Sequence, residues 1–349
     1  MIDSTYTYSQ LSSESVGLMV NSHYGLDRES TCKFYVLGLH DNYLIESKGE
    51  KFILRIYRNS WRSEEEVKFE IELLAYLNKK TDLVAVLVPT VNSNLTVKID
   101  SPEGIRIAAL FRYADGQAPV SGITPDEAEL LGHSVAKVHK ITDSYVPTHN
   151  RQSLDISYLL DNSINAVKPF LDIDGLSFLN ELQNYIYTAI PNIEKEPGVY
   201  GLCAGDVNPT NFHIDKNNKI TLFDFDQCGY GYRAFEIGKF LSSVRNYKEK
   251  LEIRDAFLKG YQCIRPLRKT ELEAIPLFEI ISVIWVMSIQ VANADRIGYK
   301  YLEKPSWDRR LSDLKKLVSA WPIKASQSKN CDLTPLLEGK LHGYERTER

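Results

Sequence analysis

Residues 203–226 read CAGDVNPTNFHIDKNNKITLFDFD, and this stretch decides the fold. Asp206 is followed five residues later by Asn211. An apolar run, Ile220–Phe223, then ends in Asp224-Phe225-Asp226. Asp and Asn are common in turns, but the joint spacing of Asp206, Asn211 and Asp224 asks for more than a turn. Phosphoryl transfer needs one carboxylate near an acceptor hydroxyl and at least two oxygen ligands holding Mg²⁺ against nucleotide phosphates. A short loop between two strands points Asp206 and Asn211 into one cleft. The following hairpin brings Asp224 back beside them.

The loop Ala204-Gly205-Asp206-Val207-Asn208-Pro209-Thr210-Asn211 and the strand end Leu222-Phe223-Asp224-Phe225-Asp226 resemble those of the aminoglycoside phosphotransferase and choline kinase superfamily. That superfamily carries an H-G-D-x-x-x-x-N loop and an I/F-D-F/W-D strand end. CGYGYRAFEIGKFL (228–241) resembles the helix that follows its metal loop. The resemblance spans roughly residues 30–320. It implies an α+β, two-lobed, protein-kinase-like fold. The N-terminal nucleotide-binding lobe is expected over 1–113, with a hinge at 111–116. A catalytic and acceptor-binding lobe follows over 117–325, then a polar tail over 326–349. The resemblance implies Asp206 as base, Asn211 and Asp224 as Mg²⁺ ligands, Asp226 as a further metal candidate, and ATP or GTP as donor. One departure stands out: Ala204 occupies the place of the family His, which buttresses the loop.

Composition sets the outer limits. The chain has 349 residues, 43% hydrophobic and 25% charged, which is ordinary for a globular protein long enough for two lobes. A net charge of −4 gives no electrostatic footprint for nucleic acid or an anionic membrane. The most apolar window, Ile275–Val291, contains Pro276 and Glu279 and reads as a buried helix rather than a span. The N-terminus lacks the pattern of a signal peptide. Five cysteines without C-x-x-C spacing argue against zinc and against a disulfide framework. A cytoplasmic monomer or homodimer acting on a small hydroxyl acceptor, without nucleic acid or membrane partners, is the expectation.

Residues 9–24 read as a helix, and 33–38, 42–47 and 51–57 as strands, with Lys48-Gly49 as a tight turn. Ser63 and Glu66 form a capping box for a helix over 63–80. Strands are expected at 95–100 and 105–113, and Ala114-Asp115-Gly116 breaks the pattern. Helices follow at 124–140, 155–167, 176–190, 233–246, 249–263, 270–296 and 306–320. The second lobe's only strands are expected near 200–203, 211–215 and 219–223.

A cation on a small-lobe strand must grip the nucleotide phosphates, oriented by a carboxylate on the next helix. By the resemblance these are Arg55 and Glu70. Gly38-Leu39-His40-Asp41-Asn42 occupies the place of a phosphate loop, with Asn42 opening the next strand. The base sits at the hinge by Phe111 and Tyr113. The helix at 270–296 resembles one that lines the acceptor pocket, which puts Trp285, Gln290, Asn293 and Asp295 in that pocket. An acidic wall there favours an amino-bearing acceptor: an amino sugar, an amino alcohol or a homoserine-like molecule. His139 reads as structural. Two other readings fit the same residues. A protein Ser/Thr kinase of the stress-response type requires an open acceptor cleft. A non-catalytic nucleotide-binding protein is motivated by Ala204.

Overall fold

The computed structural model describes residues 6–119, 122–190 and 193–320; the expected tail over 326–349 lies outside them. A helix, α1 (Ser13–Tyr24), is capped by the Ser12 side chain and precedes three antiparallel strands. These are β1 (Thr31–Leu37), β2 (Asp41–Ser47) and β3 (Glu50–Ile56). Lys48 and Gly49 both take positive φ, 50° and 81°, as a two-residue hairpin requires. The capping box at Ser63 forms as read and opens α2 (Glu64–Asn78). A two-residue strand, β4 (Leu87–Val88), then β5 (Val97–Ser101) and β6 (Gly104–Arg112) complete the sheet. Its order is β1-β2-β3-β6-β4, with β5 also paired to β6.

Strand β6 explains why one apolar run, Ile107–Phe111, can be buried throughout. Both faces of the sheet are covered, so alternation disappears. Ala108 and Leu110 pack with Val16, Val20 and Tyr24 of α1. Ile107, Ala109 and Phe111 pack with Val67, Ile71 and Leu74 of α2 and join the main core.

Helices dominate beyond residue 122. They are α3 (Pro125–Thr142), α4 (Ser163–Val167), α5 (Ile173–Ala189), α6 (Arg233–Val244), α7 (Lys250–Gln262), α8 (Lys269–Ala292), α9 (Ala294–Ile297) and α10 (Lys304–Ala320). The expected helix at 155–167 is divided, its first part a π-type turn over Ser157–Asn162. The long helix expected over 270–296 ends at Ala292, because Asn293 (φ −115°, ψ 20°) breaks it before α9. By length and composition α8 is apolar enough to cross a membrane, with a mean hydropathy of 1.9. It is instead mostly buried: Ile281, Ile284 and Trp285 sit in the main core. Pro276 lies inside it without ending it.

Two antiparallel ribbons carry the residues of the 203–226 stretch. One pairs β7 (Tyr200–Cys203) with β10 (Gly229–Tyr232), a strand the sequence reading missed. The other pairs β8 (Phe212–Ile214) with β9 (Ile220–Leu222). Beneath them α3 and α7 cross closely through two glycines. A Cβ on Gly132 would lie 2.1 Å from Phe257 O, and one on Gly260 would lie 1.9 Å from Glu129 O. No side chain fits at either point without separating the helices. Gly132→Ala or Gly260→Ala is therefore expected to cost about 3 kcal/mol, the upper end for overpacking a tight core. Urea unfolding followed by circular dichroism measures it; an unchanged midpoint for both would refute this packing.

Candidate active site

The β8–β9 register explains how distant acidic positions meet. Phe212 pairs with Leu222, and the Phe223 N–H donates to Asn211 O at 3.0 Å. Asn211 is thus held beside Asp224. Its Nδ2 donates to Asp206 Oδ2 at 3.1 Å and to Asp206 O at 2.9 Å. The loop begins at Gly205, whose φ is +84° and whose Cβ, if present, would lie 2.1 Å from Gln227 O. Only glycine fits there.

Asp224 has φ 64°, in the left-handed region that non-glycine residues seldom adopt. This kink sends Asp224 and Asp226 in different directions. Asp224 Oδ1 lies 3.0 Å from Arg55 Nη1, in the cleft between the lobes. The same Arg55 nitrogen is 3.4 Å from Glu70 Oε1, and Arg55 Nε donates to Asn42 Oδ1 at 3.3 Å. Burial pushes the Glu70 carboxyl up to about 7, against the opposing pull of Arg55. A cleft of about 720 Å³ gathers Asn42, Arg55, Glu70, Phe111, Tyr113, Asn211 and Asp224 on its walls. At its mouth the Tyr113 ring packs near Tyr35 and His213, at 6.4 and 5.5 Å between centroids. His213 Nδ1 donates to Ala114 O at 2.7 Å, fixing the chain where it leaves the sheet.

Asp226 is not placed to bind a metal. Its carboxylate is buried and fully engaged, accepting from His40 Nε2 (2.8 Å), Trp61 Nε1 (2.9 Å) and Arg62 Nε (2.9 Å). Burial alone would raise its carboxyl, but Arg62 and His40 outweigh that and hold it well below the usual carboxylate range. Of the metal candidates read from the sequence, Asn211 and Asp224 are the two that face the cleft. Both offer hard oxygen donors from partly exposed side chains in the cleft, which suits Mg²⁺.

A second cavity, about 510 Å³, opens on the other side of Asp206. Asp206 Oδ1 lies 2.6 Å from Lys239 Nζ, and Lys239 is buried. Trp285 and Gln290 line this cavity, although the Trp285 ring is almost wholly buried and packs edge-on against Phe235. Asn293 and Asp295 do not line it. Because the helix breaks at Asn293, both turn toward the small lobe. Asn293 Oδ1 accepts from Arg58 Nη2, and Asp295 Oδ1 lies 3.7 Å from Arg58 Nη1. The acidic wall expected from Asp295 is absent.

Several partners escaped the sequence reading. Glu236 Oε1 accepts from Gly205 N–H at 2.6 Å, and Glu236 Oε2 accepts from His139 Nε2 at 2.5 Å. His139 Nδ1 in turn accepts from Tyr261 O–H at 2.8 Å. Burial pushes the Glu236 carboxyl up to about 7 and holds His139 well below its ordinary value, so the imidazole is neutral. This chain of bonds supports the loop where Ala204 replaces the family His. A Glu and a Lys three residues apart in the apolar stretch Phe235–Leu241 were the signal available.

Comparison with known proteins agrees with this geometry. Residues 33–272 match the model of the phosphotransferase enzyme family. An uncharacterised protein of Synechocystis sp. is 34% identical over 319 residues, covering 90% of this chain and 88% of its own. Amicoumacin kinase of Bacillus subtilis is 28% identical over 264 residues, covering 68% of this chain and 74% of its own. Among solved structures, amicoumacin kinase hAmiN in complex with AMP-PNP, Ca²⁺ and Ami superposes with a TM-score of 0.74 at 20% identity, over 88% of this chain and 93% of that one. This chain belongs to the phosphotransferase enzyme family, with the two-lobed kinase-like fold, and is a small-molecule kinase acting on an alcohol group.

Proposed function

We propose that the protein transfers the γ-phosphoryl group of ATP or GTP to a hydroxyl of a small molecule held in the second cavity. One observation carries this reading. Asn211 lines the inter-lobe cleft, Asp206 lines the second cavity, and the two side chains are hydrogen-bonded at 3.1 Å. Thr210 borders both spaces. A phosphoryl group leaving the cleft would meet an acceptor exactly where a carboxylate waits.

Each residue has a defined task. The Asp206 carboxylate accepts the proton of the attacking hydroxyl and orients that oxygen. Lys239 holds Asp206 from behind and supplies positive charge beside the transferred group. Arg55, gripped by Glu70, meets the triphosphate; its contact with Asp224 gives way as nucleotide and metal enter. Asn211 and Asp224 would hold Mg²⁺, which neutralises charge on the phosphates when bound. Phe111 and Tyr113 flank the base. Helices α8 and α10 wall the acceptor space through Trp285, Met287 and Arg310. That enclosure favours a small acceptor over a protein chain.

Asp206→Asn is expected to lower kcat by about 10²–10⁴-fold, the usual worth of a general base, with nucleotide affinity retained. Coupled ADP release with Mg-ATP and Mg-GTP across a panel of alcohols measures this; full turnover in the variant would refute the role. Asp224 and Asp226 should separate cleanly. Asp224→Asn is expected to abolish the metal-dependent part of nucleotide binding in calorimetry while leaving the fold intact. Asp226→Ala leaves buried Arg62 with Glu66 alone, 3.6 Å away, and is expected to destabilise the protein by about 3–5 kcal/mol in urea unfolding. The reverse pattern would return Asp226 to the metal site.

A further inference from the structure

The second cavity carries more positive charge than its own carboxylates satisfy. Lys239, Arg245 and Arg310 line it, against Asp206 and Asp313. Both carboxylates are already paired. Asp206 meets Lys239 at 2.6 Å, and Asp313 meets Lys316 at 3.2 Å, outside this cavity. Arg245 and Arg310 have no such partner: among the described residues no carboxylate comes within the 4.0 Å of an ion pair. Arg245 Nη1 donates to Ser242 O at 2.5 Å, and Arg310 Nη1 to Tyr301 O at 2.7 Å. Each guanidinium has five N–H donors, so most remain free.

Neighbouring groups meet this charge in part and from a distance. Glu279 shares an adjoining cavity with Arg245. Burial pushes its carboxyl up to about 7 against the pull of Arg245, so the two groups interact, yet they form no ion pair within 4.0 Å. Arg310 is stacked on the Trp307 ring, 4.8 Å from its centroid. Burial and the adjacent Arg309 both work against its charge. Two partly buried guanidiniums therefore face a cavity that ends at the catalytic carboxylate. Between them Val283, Val286, Met287 and Ile289 offer an apolar wall.

We propose that the acceptor is a hydroxylated carboxylic acid, its hydroxyl at Asp206 and its carboxylate on Arg245 and Arg310. The planar fork of a guanidinium matches a carboxylate through two parallel hydrogen bonds. This assignment rests on the kinase reading and reverses the preference for a cationic acceptor that Asp295 had suggested.

The test compares acceptors that differ only in the carboxylate: homoserine against 3-amino-1-propanol, gluconate against glucitol, and glucuronate against glucose. Each is assayed with Mg-ATP on the native chain, Arg245→Gln and Arg310→Gln. At least one acid is expected to exceed its uncharged or amino partner by about tenfold or more in kcat/KM. Each variant is expected to raise the KM for that acid by roughly 10–100-fold, with kcat and the KM for ATP nearly unchanged, as loss of a charge-assisted contact predicts. Equal or better use of the partners lacking the carboxylate, or an equal effect of the variants on both members of a pair, would overturn the proposal. The same pairs are titrated by calorimetry in the presence of Mg-AMP-PNP. Binding of an acid that weakens in Arg245→Gln, with no transfer to any acceptor of the panel, would uphold the anion site and count against Asp206 as the base serving it. Absence of binding by every acid would reject the anion site, whatever the turnover of the other acceptors.

Discussion

A buried carboxylate fastens the two lobes together. Asp226 receives His40, Trp61 and Arg62 from the small lobe while its own backbone carbonyl accepts from Arg62 and Arg151. Such a charge is tolerable inside a protein only when every lone pair is met. The geometry is therefore stringent, and it fixes the position of Asp224 two residues away. A second fastening lies beside it. Asp41 pairs with Arg106 at 2.7 Å and with Arg296 at 2.5 Å, and Arg296 also donates to Gly38 O. The loop above the nucleotide cleft is thus tied to α9, and the cleft is built with its roof in place. Kinases close around their substrates by moving lobes; here the β1–β2 loop is held by a dense ionic seam, while the cleft mouth is bridged by the Tyr35 and Tyr113 rings.

Much of this architecture was legible because it follows from local chemistry. Ser63 with Glu66, Lys48 with Gly49, and the alternation in β3 each specify a conformation by themselves. The Asp206, Asn211 and Asp224 spacing likewise survives folding, because one hairpin register connects them. Failures came where the outcome depends on what arrives from far away. Asp226 sits in the same dipeptide pattern as Asp224, and nothing local distinguishes a ligand from an anchor. The difference is made by Arg62, 164 positions earlier. Asn293 and Asp295 were assigned to the acceptor on the assumption of a continuous helix; one broken turn redirected both to Arg58. Strand β10 was missed because Gly229-Tyr230-Gly231-Tyr232 lies in the stretch 228–241 that resembles a helix. Its glycines are there for closeness: a Cβ on Gly229 would lie 2.7 Å from Gln152 O.

The replacement of the family His by Ala204 bears on whether the site is intact. Its consequence depends on what else holds the loop. The Gly205 N–H ends on a Glu236 oxygen, and Glu236 is held in place by His139 and Tyr261 from α3 and α7. These two helices touch through Gly132 and Gly260 with no side chain between them, so their separation is fixed by backbone contact. A buttress built on that crossing is stiff without a contribution from residue 204. From the cavity side, Lys239 closes on Asp206 from the same helix as Glu236, one turn further on. One helix thus positions both ends of the loop: its backbone start through Glu236 and the Asp206 carboxylate, the proposed base, through Lys239. Lone buried ammonium groups are costly, and here, among the described residues, the ion-pair partner is Asp206. The two residues make physical sense together, as a base and the cation that steadies it, and this weighs against reading Ala204 as the mark of a silent nucleotide binder.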